Sequence, residues 1–197
     1  MIEIITSRND RLEQGDVIRD VRYVEKIDEL PDGTHRISRI IFPLVVILTQ
    51  DCDLNWDFKN RCNISENVEY KKHDKLLISA LAAPLYVADQ VIEGIHLKEL
   101  GRNMEPIPKT GKKGKLTTRF NTLKNNDNPR YHYLEMPKES RMPDLIVDFK
   151  HYFSADVESL EKLKKETFEF RIGTLYREHT SQRFANYVSR IGLPDES

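Results

Sequence analysis

An apolar run at residues 42–48 constrains the fold of this chain more than any other feature. The run reads FPLVVIL, and it stops at Thr49, just before the acidic tripeptide Asp51-Cys52-Asp53. A β-branched run without polar alternation is typical of a strand that is buried on both faces in the middle of a sheet. Functional residues often lie at the ends of such strands, because the strand fixes where the loop begins. The sequence therefore predicts a central strand that delivers residues 51–53 to a sheet rim.

Length and composition favour a globular, soluble chain. The 197 residues predict a single domain, 1–197, that can bury a full core. The longest apolar run is too short to cross a bilayer, and the N-terminus lacks a basic region followed by an apolar core. Two cysteines, Cys52 and Cys62, do not make a disulfide framework. We therefore expect a reduced, cytoplasmic protein with no membrane partner.

Alternation and turn signals predict a chain dominated by strands. Pro31-Asp32-Gly33 is a tight-turn signature between two alternating segments, so residues 20–42 are predicted to form a hairpin. Further strands are predicted at residues 75–86, 130–136, 144–153 and 167–175. Strands joined by short turns favour a mostly β (α+β) fold, in which a small antiparallel barrel or curled sheet has helices packed on it.

Helices are predicted at two places and left open at a third. Residues 87–100 favour a short helix, whereas residues 154–166 fit either a helical turn or a charged loop. Residues 176–194 are predicted as a C-terminal helix that ends at Gly192 and Pro194. The apolar face of this helix consists of Phe184, Tyr187, Val188 and Ile191.

Residues 102–128 are predicted to be a flexible basic insertion. They are rich in proline, glycine, lysine and asparagine, and they show no period. Between residues 106 and 126 there are six basic side chains and no acid, although the net charge of the chain is −1. The six are Lys109, Lys112, Lys113, Lys115, Arg119 and Lys124. This local excess is the kind of electrostatic footprint that nucleic acids require.

Four short blocks of the sequence resemble the PemK/MazF-like toxins. The blocks are Gly15-Asp16-Val17, Phe42-Pro43-Leu44-Val45-Val46, Ala83-Pro84-Leu85-Tyr86, and Ile172-Gly173-Thr174-Leu175 with a final Ile191-Gly192-Leu193. The resemblance implies an SH3-like antiparallel barrel closed by a C-terminal helix, and a place among toxin–antitoxin-like proteins. Residues 102–128 would be an unusual insertion in that family.

The resemblance also implies which chemistry is missing. Toxins of this family cleave RNA with an arginine before the first proline and a threonine or serine after the second. Phe42 and Tyr86 occupy these positions here. Because phenylalanine cannot donate a hydrogen bond to a developing oxyanion, we expect the usual ribonuclease activity to be absent.

Acidic residues suggest a second kind of site. Asp51 and Asp53 are predicted metal ligands, since carboxylate oxygens bind hard divalent cations. Cys52, Cys62 and His73 are the candidate ligands for a softer metal, although their spacing matches no zinc pattern. The alternative is that an aspartate caps the following turn while Cys52 packs as a small apolar residue.

Asp148 and Lys150 complete this acidic hypothesis. On a strand they would point the same way, and an acid-x-lysine pair is common in metal-dependent nucleases. The predicted catalytic set is Asp51, Asp53, Asp148 and Lys150, acting with a divalent cation as nuclease or phosphate-ester hydrolase. The alternative is the polar face of a half-exposed strand.

Residues 130–133 suggest a nucleic-acid surface instead. Aromatic side chains interleaved with basic ones clamp single-stranded nucleic acid, and His132 is also a candidate general acid or base. The alternative is an amphipathic strand whose aromatics lie half in the core. The predicted binding set is Lys112, Lys113, Lys115, Arg119, Arg130, Tyr131, His132 and Tyr133.

Three functions therefore remain open after the sequence. The first is a module that associates with RNA, single-stranded DNA or a protein partner. The second is a metal-dependent hydrolase, and the third is a structural or interaction protein that forms a homodimer. No Gly-rich phosphate loop, nucleophile elbow or paired-cysteine zinc signature is present.

Overall fold

The computed structural model describes residues 1–65, 73–111 and 114–190. The chain divides into two compact units, each built from separate segments. The sheet unit comprises Ile4–Leu85 and His151–Gly173. The cleft unit comprises Met1–Glu3, Tyr86–Lys150 and residues 174–190.

Eight strands and five helices make up the described elements. The strands are β1 (Ile4–Ile5), β2 (Asp16–Glu29), β3 (His35–Ile47), β4 (Ala80–Val87), β5 (Tyr131–Leu134), β6 (Leu145–Asp148), β7 (Phe153–Ala155) and β8 (Phe168–Ile172). The helices are α1 (Asp51–Ser65), α2 (Ala88–Ile92), α3 (Thr118–Lys124), α4 (Val157–Thr167) and α5 (Thr174–Val188). The predicted class, a mostly β α+β fold with antiparallel strands and a C-terminal helix, is confirmed.

The sheet unit is organised around the apolar run. Its strands follow the order β1-β8-β2-β3-β4. The short strand β7 pairs with β4 along the edge that faces away from β3. All of these ladders are antiparallel. In β3, Val45 pairs with Ile18 of β2 and with Pro84 of β4, and Val45 is fully buried. The prediction of a central strand at residues 42–48 is therefore confirmed.

The two helices of the sheet unit begin at acidic residues. Asp51 opens α1 directly after β3, so the acidic tripeptide is the first turn of a 15-residue helix rather than a loop. Asp156 caps α4 by accepting a hydrogen bond from the Ser159 N–H at 2.8 Å. Residues 154–166, which were left open between helix and loop, thus contain a helix.

The cleft unit contains the β5–β6 hairpin and three helices. Tyr131 pairs with Asp148, and Leu134 with Leu145, in an antiparallel ladder of four buried residues per strand. The helix predicted at residues 87–100 is shorter, because Gly94 adopts φ +77° and the chain turns there. No helix in the described part of the chain is long and apolar enough to cross a membrane.

Two predicted elements of the cleft unit need correction. Residues 102–128 contain α3, which Thr117 caps by accepting a hydrogen bond from the Phe120 N–H. Phe120 and Leu123 of this helix are buried in an apolar cluster, so part of the basic segment is packed. The strand predicted at 144–153 ends at Asp148, where a 3₁₀ turn begins.

The C-terminal helix is confirmed up to residue 188. The rings of Phe184 and Tyr187 both lie near the ring of Phe149, with centroids 5.6 and 6.1 Å away. Ile191, Gly192 and Pro194, which were predicted to end the helix, lie outside the described residues.

Candidate nucleic-acid interface

The cleft unit holds a cavity of about 390 Å³. This volume lies within the range of about 300–1,000 Å³ that is usual for small-molecule pockets. Its lining residues are Val91, Met104, Glu105, Ile107, Thr118, Arg119, Thr122, Asn128, Arg130 and Tyr131. The cavity thus combines an apolar wall with two arginines, two threonines and one carboxylate. We call it the arginine cleft.

Arg130 is held in a fixed position in the arginine cleft. Its Nε and Nη2 atoms donate to the two carboxylate oxygens of Asp148 at 2.8 and 2.7 Å. Its guanidinium carbon lies 4.7 Å from the centre of the Tyr131 ring. Burial opposes the charge of Arg130, but the hydrogen bonds and charge of Asp148 outweigh it, and the pKa of Arg130 is raised. The cation therefore persists beside the aromatic ring.

Arg119 reaches the same cleft from α3. Its side chain is about half exposed and pairs with Glu105 at 2.5 Å. This contact lowers the pKa of Glu105 through the hydrogen bond and the charge of Arg119. Such an exposed pair contributes little to stability, because solvent screens it, and a competing anion can replace the carboxylate.

Tyr131 is uncharged under ordinary conditions. Burial, followed by the charge of Asp148, raises the pKa of its hydroxyl to about 12. The ring contributes apolar surface to the arginine cleft without adding a negative charge that would repel a phosphate.

The other predicted binding residues are distributed differently. Lys115 is exposed but is not part of the cleft lining. His132 and Tyr133 are buried, with 3% and 9% of their surface exposed. Lys112 and Lys113 lie outside the described residues. The structure therefore brings Arg119, Arg130 and Tyr131 together and turns His132 and Tyr133 into the interior.

His132 packs among side chains of α5 and the 3₁₀ turn. Its ring stacks on Phe149 with centroids 6.2 Å apart and meets His179 edge-on at 5.2 Å. Burial, assisted by the charges of Arg183 and His179, lowers the pKa of His132 to about 3. The neutral imidazole is a core residue of the cleft unit. Near neutral pH it therefore lacks the imidazolium proton that a general acid would donate.

Tyr133 is anchored by its polar tip. Its hydroxyl donates to Asp144 at 2.5 Å, and burial together with this carboxylate raises its pKa. The Asn126 side chain bridges to the Tyr133 backbone in both directions, accepting from its N–H and donating to its carbonyl. These bonds fix the residues that follow α3 against β5, which supports one side of the arginine cleft.

The acid-x-lysine pair is not present in the predicted form. Asp148 ends β6 and is fully buried, with both carboxylate oxygens accepting from Arg130. Lys150 lies in the 3₁₀ turn Phe149–His151, so the period-two rule that would place both side chains on one face does not apply. The prediction of a same-face strand pair is wrong because the strand ends two residues before Lys150.

Asp51 is likewise engaged by an arginine. Arg11 donates from Nη1 and Nη2 to its two carboxylate oxygens, both at 3.0 Å. Asp53 is exposed on the first turn of α1. Among residues 1–65, 73–111 and 114–190, no three histidine, cysteine or acidic side chains converge in a way that could hold a metal ion. The described residues therefore show no arrangement at the start of α1 that would hold the predicted divalent cation.

The sheet unit instead contains a network of buried charges. Asp16 accepts from Lys164 at 2.7 Å and from Arg171 at 2.8 Å. Lys164 also donates to the Arg11 carbonyl at 2.5 Å, and Arg171 pairs with Glu13. We call these five residues, together with Asp51, the buried charge network.

Burial dominates the electrostatics of this network. It raises the pKa of Asp16 to about 6, although the charge and hydrogen bond of Lys164 act in the opposite direction. With Asp16 ionised, three cations and three carboxylates balance each other. A second set lies beside it, in which Arg61 bridges Asp57 and Glu161. Because every charge is matched, the network is suited to holding segments together rather than to binding an ion.

The burial of one member of the buried charge network is indicated by the sequence, although the sequence analysis did not use that pattern. Lys164 lies four residues after Leu160 and seven after Val157, which places it on the apolar face of α4. Its burial is thus readable from helical spacing. By contrast, Glu105, Thr118 and Thr122 join the arginine cleft through the packing of α3, which no local pattern indicates.

No protein-family description, curated protein or solved structure matches this chain.

Proposed function

We propose that the arginine cleft binds one nucleotide of a single-stranded nucleic acid. The observation that carries this proposal is the convergence of Arg119, from the basic segment, with Arg130 and Tyr131, from the following strand, in one cavity. About a dozen positions separate Arg119 from Arg130 and Tyr131 in the sequence. Arg119 was predicted from the local excess of basic residues, whereas Arg130 and Tyr131 were predicted from interleaved aromatic and basic side chains. Together they supply the cationic and aromatic groups that single-strand recognition requires.

The two sides of the cleft match the two parts of a nucleotide. Val91, Met104 and Ile107 give an apolar wall for a base, and Tyr131 closes it. Arg119 provides the phosphate contact from the exposed rim, with the Thr118 and Thr122 hydroxyls beside it. Arg130 is committed to Asp148, so it contributes charge rather than a new bidentate contact.

The proposed module is a PemK-like relative without that family's usual ribonuclease pair. Phe42 is buried in the apolar cluster of the sheet unit, and Tyr86 is 5% exposed in the cluster of the cleft unit. A phenyl ring supplies no donor for an oxyanion, and the Tyr86 hydroxyl has its pKa raised by burial first and by Asp148 second. The proposal is accordingly one of binding, not of cleavage.

The test is fluorescence anisotropy with labelled RNA and DNA oligonucleotides of the same sequence, over a series of salt concentrations. We expect binding at low salt that weakens as salt rises, with a slope of about −0.7 per phosphate contact on a log–log plot. Arg119→Ala should weaken binding about tenfold, or about 1.4 kcal/mol, and should flatten the slope. Arg102→Ala, an exposed arginine outside the cleft lining, is the matched control and should change neither.

Glu105→Gln provides the opposite test. Removing this carboxylate frees Arg119 from its exposed ion pair, so affinity should rise and not fall. Both side chains are at least half exposed, so the substitution should leave the fold intact, and circular dichroism checks this. Undetectable binding of both polymers at low salt, or equal affinity for wild type and Arg119→Ala, would contradict the proposal.

A further inference from the structure

The β2–β3 hairpin of the sheet unit extends beyond the rest of its sheet. β8 pairs with β2 only at residues 16–18, and β4 pairs with β3 only at residues 44–47. Beyond these points the described ladders of residues 21–29 and 35–42 pair the two strands only with each other. We call residues 22–41 the hairpin arm.

One face of the hairpin arm is apolar and exposed. The register sets Arg22 opposite Ile41, Val24 opposite Arg39, Ile27 opposite Ile37 and Glu29 opposite His35. Because alternate residues of β3 share a face, these four pairs lie on one face of the arm. Val24, Ile27, Ile37 and Ile41 are each between 46% and 60% exposed. Arg39 lies between Ile37 and Ile41 on this face. An exposed apolar patch bordered by charged side chains is a usual mark of an interaction surface.

Charges are placed asymmetrically along this face. Arg22 lies at the base of the arm and Glu29 lies next to its tip, with Val24 and Ile27 between them. Neither Arg22 nor Glu29 makes an ion pair with another residue in the described ranges, whereas Lys26 and Asp28 pair with each other. Along β2 the order from base to tip is therefore positive, apolar, apolar, negative, and Arg39 of β3 adds a positive charge to this face opposite Val24.

We propose that two copies of this chain dimerise through the apolar face of the hairpin arm. In this dimer a two-fold axis passes through the middle of the arm, between Val24 and Ile27. The apolar faces of the two arms then stack on each other and run in opposite directions. Each Glu29 then lies over the other copy's Arg22, and each Ile27 lies over the other copy's Val24. The pattern along β2 is self-complementary, as an isologous interface requires.

The surface continues at the base of the arm. Arg22 and Ile41 also line a groove of about 630 Å³, whose far side is formed by Leu160 and Leu163 of α4. The reversed arm of the second copy brings its tip to this groove. The lining combines apolar side chains with the charged Asp20 and Arg22, so the groove can receive a turn that carries both apolar and polar side chains.

Sedimentation velocity over a concentration series tests the proposal. We expect the mass to rise with concentration from 23.1 kDa to about twice that value. Glu29→Arg places like charges opposite each other at two symmetry-related points, so the dissociation constant should rise at least about tenfold. The double variant Glu29→Arg with Arg22→Glu restores complementarity and should recover the wild-type constant.

Asp28→Arg is the matched control, since it makes the same charge change next to Glu29 on the opposite face of the arm. It should leave the dissociation constant unchanged, with circular dichroism confirming that all variants are folded. A wild-type chain that stays at 23.1 kDa at every concentration overturns the proposal. So does a dimer that Glu29→Arg leaves intact, or a loss that Arg22→Glu does not rescue.

Discussion

The two units bury polar groups in opposite ways. The sheet unit buries ionised side chains and matches each with a partner, as Asp16 is matched by Lys164 and Arg171. The cleft unit buries one matched pair, Asp148 with Arg130, but it also buries a neutral imidazole, His132, and leaves Arg119 at an exposed rim. A matched buried network holds segments together but has no capacity to attract a ligand. The difference teaches that a basic residue indicates binding where its partner is weak or exposed, as the partner of Arg119 is in the arginine cleft.

The largest expected effect comes from removing one member of the buried charge network. Lys164→Met leaves the fully buried Asp16 without its ammonium partner, and we expect the free energy of unfolding to fall by about 3–5 kcal/mol. Urea denaturation at neutral pH measures the loss. Lys162→Met is the control on the exposed face of the same helix and should change stability by less than about 0.5 kcal/mol. Equal effects for the two variants would mean that the network contributes nothing.

The second-largest effect is expected in the cleft unit, whose stability should fall on acidification. The folded pKa of His132 is depressed to about 3, below its ordinary value of 6.5, so the unfolded chain binds more protons between these pH values. Stability is therefore fully present above pH 6.5 and falls as pH is lowered toward 3, by about 3 kcal/mol at pH 4. His132→Phe removes this dependence while keeping a ring against Phe149. Urea denaturation from pH 7 to pH 4 should give a flatter stability profile for the variant.

Asp16 should titrate in the opposite direction. Its folded pKa is raised from 3.8 to about 6, so the folded chain holds the proton that the unfolded chain releases in this window. Its contribution to stability is thus present below pH 3.8 and decreases as pH rises through 6, by about 2–3 kcal/mol at most.

Asp16→Asn removes this opposing contribution. The stability of the variant should therefore fall more steeply on acidification than that of the wild type, whatever its absolute stability at neutral pH. A slope that becomes shallower would show that Lys164 and Arg171 outweigh burial and hold the pKa of Asp16 below 3.8.

The sequence predicts apolar patterns far better than it predicts the pairing of charges. The burial of Val45 follows from a continuous β-branched run, and the packing of Phe184 follows from helical spacing. These signals are local, because one face of a strand or helix fixes them. Asp148 was predicted as a catalytic residue from a local motif, but its carboxylate accepts hydrogen bonds from Arg130, 18 residues away. A charged side chain takes its role from a partner that only the tertiary structure supplies.

The same limit applies to the candidate site. Arg119, Arg130 and Tyr131 could be predicted because both segments are compositionally unusual. Glu105 could not be predicted as the partner of Arg119, since nothing in its neighbourhood marks it. The burial of His132 and Tyr133 was missed because β5 is buried on both faces. An alternating pattern of polar and apolar residues predicts instead that one face of the strand is exposed to solvent.

The smallest expected effect distinguishes two tyrosines of the cleft unit. The Tyr86 hydroxyl is buried and has no hydrogen-bond partner among the residues that the structure describes, whereas the Tyr133 hydroxyl donates to Asp144. Tyr133→Phe should cost about 1–2 kcal/mol, since it leaves a carboxylate oxygen without its donor. Tyr86→Phe should change stability by less than about 0.5 kcal/mol or increase it slightly, because no bond is lost and an unsatisfied polar atom is removed. Urea denaturation at pH 7 ranks the pair. A larger loss for Tyr86→Phe would show instead that the Tyr86 hydroxyl makes a hydrogen bond that stabilises the fold.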